Sequence, residues 1–282
     1  MAGFLGFNNY QKEGPGISKD APKKKTFIVF FEMFFRNFWK FTTINLVYCL
    51  ICLPLFTNGM ANVGLTHVAR NTARDKHSFG FSDFFETIKK NLKQSIIAGV
   101  INTIIFALLV FDAYFFYGVK GKYGVVGLGI ALAMLITFIM MTYYLWTLII
   151  TFDYTLKQAY VNSFKLVFLN IKYSVLVLFV NVLLIAICVG LLFITGTAWK
   201  YVLTFELFLA VFAYPAFNAL LVQFCTFPCI KKFIIDPYYA EHPDADIDKR
   251  QSLGLEIEST PKNETATLEE SDEEDDGVIF ND

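Results

Sequence analysis

The chain has 282 residues, 55% of them hydrophobic and only 17% charged, with 32 phenylalanines. That balance excludes an ordinary water-soluble domain and points to a protein that lives in lipid. Its net charge of −1 hides a split: residues 1–240 hold 21 Lys/Arg against 10 Asp/Glu, and residues 241–282 hold 3 against 15. The basic body suits anionic headgroups of a lipid bilayer, and nothing in it resembles a nucleic-acid motif.

Residues 1–25 read as an extended segment. MAGFLGFNNYQKEGPG lacks the basic-then-apolar pattern of a cleavable signal, so insertion through internal spans is expected. GPGISKD has glycines and a lysine but not the spacing of a phosphate loop, and Pro15 removes an amide that could hold phosphate.

A helical span needs ~20 mostly apolar residues. In chain order the pattern predicts an amphipathic helix over 27–40, spans over 41–57 and 58–76, and a second amphipathic helix over 82–94. Spans over 95–117 and 123–150 follow, then a third amphipathic helix over 156–172 and spans over 173–195 and 201–225. Trp39, Tyr114, Tyr117, Tyr123, Tyr143, Trp146, Tyr173, Trp199 and Tyr201 cluster at span ends, as an aromatic belt would. In the first amphipathic helix Glu32 is placed to pair with Arg36. In the second, Asp83 three before Glu86 reads as a capping box. In the third, Tyr160, Phe164, Val167 and Ile171 align as the apolar face. Such helices tend to lie in the interface plane.

The three amphipathic helices align with one another at Phe31/Phe85/Phe164, Phe34/Ile88/Val167, Asn37/Asn91/Asn170 and Phe38/Leu92/Ile171. The match runs on in NLKQSIIAGVIN against NIKYSVLVLFVN, ending at Asn102 and Asn181. The expected fold is all-α: a polytopic membrane bundle of three units, each an interfacial helix plus a helical hairpin. It has five full spans and one short polar return arm, 58–76. If that arm returns, Arg36, Arg70, Arg74, Lys89, Lys157 and Lys232 share the side of both termini, and only Lys120, Lys122 and Lys200 lie opposite. The positive-inside rule makes that side cytoplasmic and the protein a multi-pass cell-membrane protein.

The return arm carries Asn58, Asn62, Thr66, His67 and Arg70, with the small Ala61, Gly64, Ala69 and Ala73. It is a poor lipid-facing helix, so it is expected to pack among other helices or against a partner. Other polar residues inside spans are Asn45, Asn102, Asp112, Asn181, Glu206, Asn218 and Gln223. Asp112 and Glu206 fall near the outer ends of their spans, where they can reach the interface. The candidate polar or partner contacts are thus Asn58, Asn62, His67, Arg70, Arg74, Asn102, Asn181, Asp112 and Glu206. No nucleophile–His–carboxylate set or metal-ligand spacing is present, so no enzyme, cofactor or metal is expected. Cys49, Cys52, Cys188, Cys225 and Cys229 sit in or beside apolar runs and read as buried small hydrophobes. From 236 onward the acidic tail reads as mostly disordered, with VIF at 278–280 as a short apolar island.

LGFNNYQKEGPGISKDAPKKK, FFEMFFRNFWKF and PLFTNGMANVGLTHVARN resemble the YesL-like family of Gram-positive bacterial membrane proteins, a family of unknown function. The likeness covers roughly residues 1–240. Members are often encoded beside carbohydrate importers of the ATP-binding cassette type and two-component sugar sensors. The resemblance implies an accessory membrane subunit of a carbohydrate ABC importer, with its permease subunits as partners. The alternatives are a self-contained small-solute transporter, suggested by the repeated units and broken first hairpin, and a membrane regulator of a sugar-sensing two-component system.

Overall fold

The computed structural model describes residues 26–76, 79–194 and 198–241. The expected extended segment 1–25 and the tail beyond Glu241 lie outside the described residues. All regular structure among the described residues is helical. The helices are α1 (Thr26–Arg36), α2 (Phe38–Cys52), α3 (Asn58–Ala73), α4 (Phe81–Lys90), α5 (Leu92–Gly118) and α6 (Lys122–Thr151). Then come α7 (Leu156–Leu169), α8 (Ile171–Ile194), α9 (Trp199–Phe212), α10 (Tyr214–Ile230) and α11 (Asp236–Glu241). A π-helical turn covers Lys231–Ile235.

Among the described residues four helices are long and apolar enough to cross a membrane: Leu92–Gly118, Lys122–Thr151, Ile171–Ile194 and the stretch Tyr214–Glu241. These suit a lipid bilayer. At 1.5 Å per residue, the 15 residues of α2 and 14 of α9 reach only about 20 Å, short of a hydrocarbon core of about 30 Å.

The three asparagines aligned in the sequence sit at three helix junctions. Asn37 separates α1 from α2, Asn91 separates α4 from α5, and Asn170 separates α7 from α8. Their backbones share one region: φ −104°, ψ 16° at Asn37; −111°, 16° at Asn91; −124°, 34° at Asn170. In this sparsely populated bridge region the backbone N–H of each asparagine still bonds the carbonyl four residues back, at Met33, Thr87 and Leu166. Asn37 Nδ2 donates to the Met33 carbonyl (2.9 Å) and Asn91 Nδ2 to that of Thr87 (3.1 Å). Asn170 Nδ2 instead reaches Tyr144 Oη and the Cys225 carbonyl. The amphipathic helices therefore end before the predicted 40, 94 and 172.

Three further expectations are corrected. The span predicted over 41–57 stops at Cys52. Pro54 is extended (φ −79°, ψ 119°), and a 3₁₀ turn over Leu55–Thr57 leads into α3. The span predicted over 201–225 is two helices. Pro215 has no N–H to give, and the chain breaks at Ala213 (φ −126°, ψ −44°). Asn45 of α2 is wholly buried and fills that break: its Nδ2 donates to the Phe212 carbonyl (2.8 Å), and its Oδ1 accepts from Ala216 N–H (2.9 Å). One side chain thus replaces the helical bond between residues 212 and 216. The Asp83–Glu86 box does not form either. The helix starts earlier, after Gly80; Asp83 accepts from Phe79 N–H and Glu86 pairs with Lys90 (2.7 Å). The capping box lies instead at Thr155–Gln158, opening α7.

Arg36 pairs with Asp75 in the turn after α3. Among the described residues Asp75 is the one non-glycine residue of positive φ (51°), closing α3 with Asp75 N–H on Thr72 O and Lys76 N–H on Asn71 O. The α1 helix docks through Phe30 and Phe34, both edge-on to Phe217 of α10 at 5.3 and 5.5 Å. The α7 helix buries Ala159, Ser163, Leu166 and Val167, while Phe164 and Ile171 of the predicted face are exposed.

Candidate functional site: a polar chamber and seam

The return arm, α3, is the most enclosed helix. Ten of its sixteen residues are buried, Arg70 among them. Glycines let it approach so closely. A methyl at Gly59 would stand 1.9 Å from the Ser95 carbonyl oxygen of α5, and one at Gly64 would stand 2.8 Å from the Phe84 ring of α4. The chain's own helices therefore cover α3, which is not free to dock a partner.

The polar side of α3 faces a cavity of about 210 Å³ between α2, α3, α6 and α10. From α2 comes Tyr48, whose hydroxyl donates to Asn62 Oδ1 (3.2 Å); Asn62 Nδ2 in turn reaches the Asn58 carbonyl (3.0 Å). Beside Asn62, α3 adds Thr66. On the α6 side stand Tyr143 and Trp146, each 9% exposed. Both were expected in the aromatic belt and are corrected to the chamber wall. Completing the wall, α10 gives Tyr214, Asn218 and Gln223. Tyr214 Oη donates to Asn181 Oδ1 (2.7 Å), and Asn181 Nδ2 donates to Asn218 Oδ1 (2.9 Å). Gln223 Nε2 donates to Thr147 Oγ1 (2.8 Å), while its Oε1 is buried and has no hydrogen-bond partner. No lining residue is an acid, a lysine, an arginine or a histidine. Amides, phenols and an indole around a cavity of this size form a neutral, hydrogen-bonding pocket with flat aromatic walls.

Below Gln223 a polar seam continues. Thr151 Oγ1 donates to the Thr147 carbonyl (2.6 Å) and accepts from Arg70 Nη1 (2.6 Å). Arg70 Nε is buried without a partner, and among the described residues no carboxylate pairs with this guanidinium. Instead the cation sits in the last turn of α3 and touches the last residue of α6, where two helix C-termini present partial negative charge. Arg70 Nη2 lies 3.4 Å from His67 Nδ1, and an arginine only donates, so Nδ1 accepts. Asn71 Nδ2 stands 2.9 Å from His67 Nε2, the other ring nitrogen. Arg74 lies over the Phe227 ring at 4.6 Å. Lys76, in the turn beyond, is held below the usual lysine range by burial first, then by Arg74 and Arg70.

Of the expected contacts, Asn58, Asn62, His67 and Arg70 lie along α3, Arg74 is its C-cap, and Asn181 bonds Tyr214 of the chamber wall. Asn102 lies elsewhere, accepting from Tyr160 Oη (2.9 Å). Asp112 is exposed on α5, and Glu206 is half-buried on α9 with an unpartnered Oε1. Sequence reasoning did not single out Tyr48, Tyr143, Trp146, Tyr214 and Gln223 as site residues. Thr142, Thr147 and Gln223, polar residues within two apolar runs, were the available signal. Among the described residues no three His, Cys, Asp or Glu side chains gather in a metal-holding group.

Residues 41–113 match the family described as "Protein of unknown function, DUF624". The matched stretch spans most of α2, all of α3 and α4, and most of α5; the α6 and α10 walls of the chamber lie outside it. No curated protein and no solved structure matches the chain.

Proposed function

We propose that the protein is a non-enzymatic, multi-pass membrane component of carbohydrate uptake that holds a neutral, hydroxyl-rich solute in the chamber between α3, α6 and α10. The observation that carries this reading is the wall itself, which offers amides, hydroxyls and aromatic faces without a formal charge. Sugars present hydroxyls for amides to bond and apolar ring faces for aromatic residues to cover, whereas an anionic solute asks for an arginine or lysine. The YesL-like resemblance, consistent with the DUF624 match, adds the carbohydrate context. In this reading both termini and the Arg70 end of α3 are cytoplasmic, and three interfacial-helix-plus-hairpin units make up the membrane domain. Broken helices beside a central pocket are a feature of transporters.

The test is titration of the full-length protein in nanodiscs with D-glucose, D-galactose, maltose and sucrose, read by tryptophan fluorescence. Saturable quenching that Trp146→Phe abolishes and Gln223→Leu weakens by about tenfold or more supports the reading, because an unpaired sugar hydroxyl costs ~1–3 kcal/mol. Absence of saturable binding across the panel sinks it.

A second reading, an accessory subunit beside the permease of a carbohydrate ABC importer, is favoured by α8 and α9. No residue of α9 is buried, and only Ser174, Val177 and Asn181 of α8 are. That leaves a broad lateral surface to a permease helix. Failure to co-purify permease subunits from native membranes in mild detergent would count against it.

A further inference from the structure

Five buried side-chain atoms lack a hydrogen-bond partner among the described residues, and three of them are Gln223 Oε1, Thr226 Oγ1 and Arg70 Nε. Gln223 and Arg70 are the two ends of a seam that runs through Thr147 and Thr151, and Thr226 follows Gln223 on α10 by nearly one helical turn. Three helices give chamber residues first and seam residues about a turn later: Thr66 then Arg70, Trp146 then Thr151, Gln223 then Phe227. At 1.5 Å per residue the seam is about 6–8 Å thick. A permanently dry plug of that thickness needs only leucines. Each orphaned polar atom costs ~1–3 kcal/mol in such a place, and a buried guanidinium without a carboxylate costs more.

We infer that this seam is the gate of the chamber, a hydrated passage through which the solute leaves toward the Arg70 end. Arg70 is the latch. Its hydrogen bond to Thr151 holds α3 to α6; when that bond opens, Gln223 and Thr226 meet water that continues from the chamber. Arg74 and Lys76 keep the far mouth basic and wet. The inference rests on the chamber reading and adds to it a translocation step, which an accessory subunit does not need.

The test reads water, independently of any sugar. Thr226→Cys is placed in the full chain with its five native cysteines changed to alanine, reconstituted in nanodiscs and treated with iodoacetamide. Ala98→Cys, a wholly buried position in an apolar cluster, is the control. Thr226→Cys should react at least about tenfold faster, since thiol reactivity follows access to water, and Arg70→Ala should raise its rate further. Equal rates at the two positions overturn the gate whatever the sugars do. Should the cysteine-free chain fail to fold, hydroxyl-radical footprinting of the unmodified protein compares Phe227 with Phe138, 9% and 8% exposed. Excess modification at Phe227 supports a wet seam; parity overturns it. A wet seam that no sugar protects, with no sugar bound in the fluorescence titration, counts against the chamber reading and leaves the passage standing. Sugar binding with a dry seam does the reverse.

Discussion

The α3 and α8 helices invert the rule that governs water-soluble cores. The first carries Asn58, Asn62, Thr66, His67 and Arg70 and is the most enclosed helix in the molecule. The second is among the most apolar stretches of the chain, yet only Ser174, Val177 and Asn181 are buried, and two of those are polar. Lipid solvates leucine and phenylalanine as well as a protein interior does. Hydrophobicity therefore gives an apolar helix no reason to move inward, and contacts are made by small residues that pack and polar residues that need partners. The third amphipathic helix obeys the same logic: Ala159 and Ser163 face in, Phe164 and Phe168 face out.

That contrast is open to direct test. The largest effect is expected at Gly59. With a Ser95 carbonyl 1.9 Å from any added methyl, Gly59→Val should cost about 3 kcal/mol or more and leave little monodisperse protein on size exclusion. Next comes Asn45→Ala, which strips both partners from the α9–α10 break. A loss of about 2–4 kcal/mol is expected, read as a lower unfolding midpoint in detergent; an unchanged midpoint would mean that the break is held by something else. Tyr144→Phe should cost about 1 kcal/mol, because its hydroxyl joins Ser174 (2.7 Å) and Asn170 (3.0 Å). The same change at Tyr201, 81% exposed, should leave the melt alone. The smallest effect belongs to Gly190→Val on α8, where nothing lies within 4 Å of an added methyl, so a shift within about 0.5 kcal/mol is expected. If Gly190→Val proves as damaging as Gly59→Val, α8 is covered by a protein surface rather than by lipid.

The chain order of amphipathic and apolar helices was legible because hydropathy period and run length report the solvent each segment meets. Asn37, Asn91 and Asn170, aligned in the sequence, fall at three helix junctions and share one backbone region. The chamber was not legible. Tyr143 and Trp146 look like belt residues when only their distance from a span end is known. Nothing local says that α10 lies opposite them.

By itself, then, the sequence determined an all-helical membrane protein, the order of its amphipathic and apolar helices, and a short polar arm that lipid cannot accept. These follow from local period, composition and transfer free energy. Only tertiary structure decided that the arm is sheathed by the chain's own helices, that a side chain 171 residues away completes the break before Ala216, and that amides and aromatics from four helices line one neutral pocket. Each depends on contacts between segments far apart in sequence, where a hydrogen bond or a glycine gap selects one packing among many of similar hydropathy.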